Sequence, residues 1–459
     1  MKTYENALIL GLGASGCAAS ELLLSEGTHV CICDASNDPS LAEPARMLQA
    51  KGAEVRLGVN TLPHREFDVC VISPGIAGMS PWGIASQRLA KATISELELA
   101  FSRCNVPVIA VTGTNGKSTC CKLIADMLTA NGMRPMLGGN YGVPFCRLVM
   151  AQADHDWAVI EVSSFQLESV KTFRPRVGVL LNIQPDHLTR HGCMHEYARL
   201  KASMFARMGE GDLVLLQEAL QDEVRGLLQE CDGSAAGQNQ AEWYSFGASV
   251  DADFDYHEGG VRGAFGAVRH SADVAGSTFD NPILGQTAAA AFGVATLIGV
   301  PPEVSGTVIQ NFTALPHRME RIASTGQVSF INDSKATNLA ALSAALDICS
   351  GPVHLVAGGR LKEGNLDFIK EKLGNRVCAA YLIGEAAENL ENAWRDVIDC
   401  EQCGDVQTAV QRAALRAKDG ETVLFSPGCA SFDQFSGYVE RGRAFSDAVA
   451  ALEEVALAS

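Results

Sequence analysis

No run of lysine or arginine appears in this sequence, and basic residues are outnumbered: 36 against 53 acidic ones in 459, for a formal net charge of −17. That balance excludes a general affinity for nucleic-acid phosphates or anionic lipid, so any phosphate recognition must be local. No secretory leader is expected either. MKTYENALIL runs straight into a strand-like stretch without a basic segment, apolar core and small-residue cleavage site, so a cytoplasmic protein is expected. No disulfide framework is legible: the 15 cysteines are irregularly spaced, which points to reduced thiols. The one CxxC, Cys400 and Cys403, has no second pair nearby to complete a zinc site. Residues 281–302 carry no charge and could span a bilayer by length. They are rich in Ala and Gly and broken by Pro282, Pro301 and Pro302, which predicts a buried helix with a proline-marked end and no membrane span.

What is present is a threefold alternation of strands and helices, in a chain too long for one core. The first unit opens with the strand ALIL (7–10), then Gly11-Leu12-Gly13-Ala14-Ser15-Gly16, a helix, and the strand THVCICD ending at Asp34. Strand, glycine turn, helix and a later acid form the nucleotide-binding half-fold, in which a helix N-terminus accepts a pyrophosphate. FDVCVIS (67–73) is a further strand that runs into Pro74-Gly75. In the second unit VPVIAVT (106–112), WAVIEVS (157–163) and VGVLLNI (177–183) read as strands and 194–208 as a helix. The Gly- and polar-rich stretch from 232 to 280 predicts short antiparallel strands and loops. A third unit begins near Leu315, with strands VHLVAGG (353–359), AAYLIG (379–384) and TVLFSPG (422–428) that each end in glycine. Short repeats and low-complexity segments are absent.

VIAVTGTNGKSTCCKLIADML (108–128) carries a phosphate loop between a strand and a helix. Its backbone N–H groups and the helix N-terminus make a pocket for anionic oxygens, Lys117 adds a point charge for the β- and γ-phosphates of ATP, and Ser118 or Thr119 can hold Mg²⁺. It is a variant loop, because Val111 stands where GxxxxGK[ST] asks for glycine, leaving Gly113 and Gly116. Glu161, at the end of an apolar strand, is either a Mg²⁺ ligand or an exposed edge-strand acid. Asp186 and His187 follow the next strand and could share that sheet edge. His187, His191 and His195 have helical spacing, but Gly192 interrupts it and no fourth zinc ligand is evident.

TGTNGKST (112–119), EVSSFQLE (161–168), DHLTRH (186–191), YARLK (197–201), LPHRME (315–320), NDSKATN (332–338) and SPGCASFDQF (426–435) together resemble the Mur ligases, in the same order across almost the whole chain. The resemblance implies an α/β protein of three domains: a Rossmann-like UDP-substrate domain (1–96), a central P-loop-type ATPase domain (97–313) and a Rossmann-like amino-acid domain (314–459). It implies an ATP-dependent ligase of peptidoglycan synthesis that adds D-glutamate to UDP-N-acetylmuramoyl-L-alanine through an acyl phosphate. A cytoplasmic monomer with no nucleic-acid or membrane partner is expected.

Carried over by motif, Gly113, Thr114, Asn115, Gly116, Lys117, Ser118 and Thr119 would hold ATP together with Arg318 and Asp333. Ser118, Glu161, His187 and Lys201 would serve two Mg²⁺ ions, with Lys201 carbamoylated, which turns a cation beside a metal into an anionic ligand. Lys117, His187, Lys201, Asn140 and Lys362 would be catalytic. Gly13, Ala14, Ser15, Gly16, Asp34 and Ser73 would face the UDP group, so the GxGxxG would not bind NAD. Asn140 would meet the acyl phosphate, and Lys335, Thr337, Lys362, Ser431 and Tyr438 would surround D-glutamate, a dicarboxylate that calls for cations and hydroxyl donors. Gly285-Gln286 runs directly into Thr287-Ala288-Ala289, a short deletion against the family pattern that leaves adenine binding to other groups. Gly428 and the loop GGRLKEGNLDF around Lys362 are unusual as well. Other readings are a ligase of the same superfamily with a different acceptor, such as a folylpolyglutamate-type enzyme, a nucleotide-binding regulatory protein that has lost catalysis, and an NAD oxidoreductase.

Overall fold

The computed structural model describes residues 4–231, 240–266, 268–325, 328–362 and 365–458. Residues 232–239 and 267 of the polar stretch, and 363–364 of the Lys362 loop, lie outside the described residues. The chain forms two compact units: Met1–Ile183, Arg190–Ser277 and Gly285–Gln310 make the first, and Gln184–Thr189, Thr278–Leu284 and Asn311–Ser459 the second.

The first unit holds two sheets. β1 (Asn6–Leu10), β2 (His29–Cys33), β3 (Glu54–Arg56), β4 (Val69–Ile72) and β5 (Thr93–Ser95) form an all-parallel sheet in the order β3-β2-β1-β4-β5. That is the doubly wound arrangement, whose order reverses beside β1, where the glycine turn lies. The second sheet follows with β6 (Val108–Thr112), β7 (Pro135–Gly139), β8 (Trp157–Glu161), β9 (Val177–Leu180), β10 (Leu213–Gln217), β11 (Glu242–Gly247), β12 (Phe254–His257), β13 (Gly260–Phe265) and β14 (Val268–Asp273). Their order is β14-β13-β12-β11-β10-β9-β6-β8-β7, parallel from β7 to β12 and antiparallel at the β12-β13-β14 end, as the polar composition there predicts. Central strands β6 and β9 are buried throughout, which is why they read as unbroken apolar runs.

One hydrophobic core runs through both sheets of this unit, from Ile9 and Leu23 through Leu97 to Phe145, Ile160 and Val214. The helices Ala14–Ser25, Glu96–Phe101 and Phe145–Met150 pack together in it. Glu98 ties the seam, since its carboxylate accepts the backbone N–H groups of Lys171, Thr172 and Phe173 at 2.7–3.1 Å. The stretch predicted as a buried helix is one, Pro282–Leu297, with every residue from Thr287 to Leu297 buried. Among the described residues no helix is long and apolar enough to cross a membrane.

The second unit contains β15 (Glu320–Thr325), β16 (Val328–Asn332), β17 (Val353–Gly358), β18 (Val377–Ile383), β19 (Asp399–Gly404) and β20 (Thr422–Phe425), in the order β15-β16-β20-β17-β18-β19. Among the described residues the β15–β16 pair is the one antiparallel pairing of these strands. Helices cover both faces, with Leu346, Leu373 and Trp394 in one core and Val410, Phe425 and Phe445 in the other. The region read as a helix over 194–208 is α-helical only over Met194–Ala202 and tightens into a 3₁₀ turn at Ser203–Phe205.

Candidate active site

The phosphate loop begins where β6 ends. Val111, at the position where the usual pattern has glycine, is a fully buried strand residue paired with Glu161 on one side and Val179 on the other, so its side chain is core. The turn itself needs its two glycines. Gly113 has φ +150 with a Cβ position 3.0 Å from the Leu181 Cβ, and Gly116 has φ +83 as it caps the helix Lys117–Ala130. Lys117 folds back over the turn, its Nζ donating to the carbonyls of Gly113 and Thr114 at 2.8 Å each.

Register across β6 and β8 brings Glu161 beside the first turn of that helix. Its carboxylate, only 4% exposed, accepts the Ser118 hydroxyl on one oxygen and the Asn140 side-chain amide at 2.7 Å on the other. The buried alternative is therefore the observed one, and Glu161 is not an exposed edge acid. Lys201, 1% exposed, reaches the loop from the helix Met194–Ala202: its Nζ donates to the Gly113 carbonyl at 2.9 Å and lies 4.6 Å from the centre of the Tyr197 ring. The Tyr197 hydroxyl is 3.1 Å from Thr114 Oγ1. Asn182, which sequence reasoning missed, clasps the same turn. Its Oδ1 accepts the N–H groups of Thr114 and Asn115 at 3.1 and 2.9 Å, and its Nδ2 donates to the Asn115 carbonyl at 3.2 Å. The signal was the polar residue directly after the buried run of β9.

The three histidines have separate fates. Gly192, at φ +80, splits the segment into the helices Leu188–His191 and Met194–Ala202. His191 is buried with Nε2 3.0 Å from the Ser164 hydroxyl, and desolvation holds it below the ordinary imidazole value, so it is neutral at pH 7. His195 pairs with Glu230 at 2.9 Å on the surface. Arg190 fixes the loop after β4: it donates to the Pro74 and Ile76 carbonyls, pairs with Glu168 at 2.7 Å and stacks 4.1 Å over Phe165.

At the head of β1, Gly16 must be glycine, because a Cβ there would sit 1.9 Å from the Gly11 carbonyl oxygen. Gly13 and Ala14 are exposed at the start of the helix Ala14–Ser25, which no side chain caps. Ser73 donates to the Gly11 carbonyl at 3.1 Å. Asp34 is engaged in holding the turn: its two oxygens accept the N–H of Leu12 at 2.7 Å and of Ser36 at 2.8 Å. Thr287, which follows Gly285-Gln286, lies against the phosphate loop, its Oγ1 3.4 Å from the Cβ position of Gly116.

The second unit gathers His187 and the Lys362 group. A cavity of about 240 Å³ is lined by His187, Asn338, Lys362, Asn365, Phe368 and Gly428, among others. Lys362 Nζ lies 3.3 Å from Thr337 Oγ1 and 3.4 Å from Asp186 Oδ1, and Asn338 donates to the other Asp186 oxygen at 2.9 Å. His187 takes φ +58, uncommon for a non-glycine residue, and its N–H donates to Asp186 Oδ1 at 2.9 Å. Lys335 lies 4.2 Å from the centre of the Tyr438 ring. Ser431 and Asp333 are buried. The Asp333 carboxyl accepts from Ser426 Oγ at 2.9 Å and from the Met319 N–H at 3.2 Å, and burial pushes it up to about 7. Arg441, also missed, is 1% exposed and donates to the Cys429 and Ser334 carbonyls at 2.9 and 2.8 Å, fixing the NDSKATN and SPGCASFDQF segments to each other.

Known proteins resemble this chain over nearly its whole length. The profile of the Mur ligase middle domain matches residues 111–269, and that of the Mur ligase, glutamate ligase domain matches 317–429. A UDP-N-acetylmuramoylalanine--D-glutamate ligase of Nitratidesulfovibrio vulgaris (strain DP4) is 36% identical over 452 residues, covering 97% of this chain and 96% of that protein. A protein of the same name from Acidobacterium capsulatum is 33% identical over 456 residues, covering 97% and 96%. Among solved structures, a pseudomurein peptide ligase type C from Methanothermus fervidus has a TM-score of 0.59 at 17% identity, over 97% of this chain and 100% of that one, which supports the fold.

Proposed function

This chain belongs to the Mur ligase family, and we propose that it is an ATP-dependent ligase adding D-glutamate to UDP-N-acetylmuramoyl-L-alanine in peptidoglycan synthesis. The observation that carries this reading is the likeness over 97% of the chain, at 36% identity, to a relative named for that ligation. Three functional domains, 1–96 for the UDP substrate, 97–313 for ATP and 314–459 for the amino acid, are part of it, as are a monomeric state and a cytoplasmic location.

The chemistry has one difficulty: a carboxylate is a poor electrophile until one of its oxygens can leave. Transfer of the ATP γ-phosphate to the alanine carboxylate gives an acyl phosphate and ADP. The D-glutamate amine then attacks the carbonyl carbon, phosphate departs, and the nitrogen gives up a proton. Lys117 meets the β- and γ-phosphates by exchanging its two loop carbonyls for phosphate oxygens, while the N–H groups of the turn, pre-aimed by Asn182, receive the rest. Ser118 and Glu161 set a hydroxyl and a buried carboxylate side by side, hard oxygen donors that suit Mg²⁺. The ion, when bound, offsets repulsion between the triphosphate and the carboxylate. Lys201 as a carbamate would supply an anionic oxygen to a second ion and His187 an imidazole, and Asn140, held by Glu161, would meet the acyl phosphate.

In the first domain the uncapped helix start at Gly13 to Gly16 accepts the UDP pyrophosphate, with Ser73 behind it and Asp34 toward the uracil. Lys335, Thr337, Lys362, Ser431 and Tyr438 surround D-glutamate, and Arg318 and Asp333 serve the nucleotide. The test is phosphate release from ATP, Mg²⁺ and UDP-N-acetylmuramoyl-L-alanine across a panel of amino acids. D-glutamate alone should support turnover. Turnover with another amino acid and none with D-glutamate would reassign the chain to a different acceptor, and no turnover at all would favour a regulatory protein.

A further inference from the structure

Three neighbouring strands of the third sheet each begin with a metal-type donor. His354 is the second residue of β17, Cys378 the second of β18, and Glu421 immediately precedes β20. β17 lies between the other two and all run parallel, so the three residues meet at the N-terminal rim. Lys335, Thr337 and Lys362 follow the C-terminal ends of β16 and β17, at the opposite edge. A register shift sets the cluster: Val353 pairs with Val377 but His354 with Ala379, which leaves Cys378 as the extra residue of a bulge. One donor atom from each residue lies within 4.8 Å of the other two.

We propose that His354, Cys378 and Glu421 form a binding site for one zinc-class divalent ion, with water as the fourth ligand. Thiolate, imidazole and carboxylate together are a zinc donor set and a poor one for Mg²⁺, which prefers oxygen alone. His354 is already oriented, 4% exposed, with Nε2 2.9 Å from Glu421 Oε2 and Nδ1 3.1 Å from the Tyr381 hydroxyl. Metal on Nε2 requires the proton on Nδ1, and the Tyr381 hydroxyl can accept it, so the ring changes tautomer without turning.

Glu421 supplies the carboxylate, one oxygen of which already accepts the Lys418 N–H at 2.8 Å and lies 2.9 Å from His354 Nε2. Cys378 is exposed, which gives the ion a path in, and its thiol releases a proton to solvent on binding. Thiolate and carboxylate together then balance the two charges of the ion. Donor atoms around tetrahedral zinc stand roughly 3.3–3.8 Å apart, so His354 Nε2 and Glu421 Oε2, now 2.9 Å apart, must open slightly while side-chain rotation brings the Cys378 sulfur to the ion. The bound ion would clip together the starts of three strands.

The test uses the full-length protein, stripped with chelator and titrated with Co²⁺ in the absence of nucleotide. One equivalent should bind with a thiolate-to-cobalt charge-transfer band in the near ultraviolet. Cys378→Ser should abolish the band, Glu421→Gln should weaken affinity at least about tenfold, and Cys193→Ser, which alters another exposed cysteine, should leave it intact. Zn²⁺ should displace the Co²⁺ and raise the melting temperature of the wild type but not of Cys378→Ser. Circular dichroism and D-glutamate ligation report folding of Cys378→Ser independently. Absence of the charge-transfer band, its survival in Cys378→Ser, or cobalt binding lost only in Glu161→Gln would overturn the proposal.

Discussion

Lys201 Nζ donates to the carbonyl of Gly113 at 2.9 Å, across 88 residues of sequence, and so ties a buried helix lysine to the turn that receives phosphate. With 1% exposure and the Tyr197 ring alongside, this amine has no route to being a solvated surface cation. If it works as a carbamate, Lys201→Ala should lower kcat by about 10²-fold or more, and a short carboxylate such as acetate added to the assay should restore part of the loss. Rescue by acetate is the informative readout. A variant that melts normally and is not rescued would assign Lys201 a cationic or purely structural role.

Lys117 differs in being a cation at the start of its helix whose partners include two carbonyls of the adjoining turn. Lys117→Ala removes charge but little packed volume. Turnover in the phosphate-release assay should fall by about 10²–10³-fold, while stability in urea should stay within about 1 kcal/mol of wild type. Near-normal turnover would remove this residue from the phosphate site.

Asn182→Ala probes positioning rather than charge. The side chain answers the N–H groups of Thr114 and Asn115 and the Asn115 carbonyl, so its loss frees the turn without touching Lys117. The expected result is a KM for ATP raised roughly tenfold with a smaller change in kcat, since a loosened turn must be reordered when phosphate binds. Unchanged KM for ATP would show that the backbone alone fixes the turn.

Much of this was legible before any coordinates. Strands β1, β2, β4, β6, β8, β9, β17, β18 and β20 are buried apolar runs, and such runs announce themselves. β3 and β5 did not, because three residues are too short for a pattern, nor did β7, whose PMLGG opens with proline and closes on two glycines. Ser118 beside Glu161 was readable as a pairing of phosphate loop and strand-end acid. Asn182 and Arg441 were not, because their value lies in backbone groups distant in sequence, which residue type and spacing do not encode. The shared core running from Leu23 to Phe145 was equally invisible, since both of its halves read as ordinary helix faces.

Asp333 should make stability fall as pH rises through the neutral range. Burial lifts its folded-state value to about 7, against about 4 for an ordinary aspartate. Below about pH 4 both folded and unfolded chains hold the proton, so the contribution is fully present. Between about 4 and 7 the unfolded chain releases that proton while the folded one keeps it, and stability is lost at up to about 1.4 kcal/mol per pH unit. Above about 7 the loss is complete. Glu96, also lifted by burial to about 7, adds a loss of the same sign, so the two must be separated by mutation. Asp333→Asn keeps an oxygen for the Met319 N–H and cannot ionise. Urea unfolding of wild type and variant between about pH 5 and 8 should therefore show a gap that shifts in the variant's favour as pH rises, by about 2–4 kcal/mol in all. Parallel curves would mean that Asp333 is ionised throughout, answered by Arg318 or a bound cation, and would make it a charged rather than a neutral partner for the nucleotide.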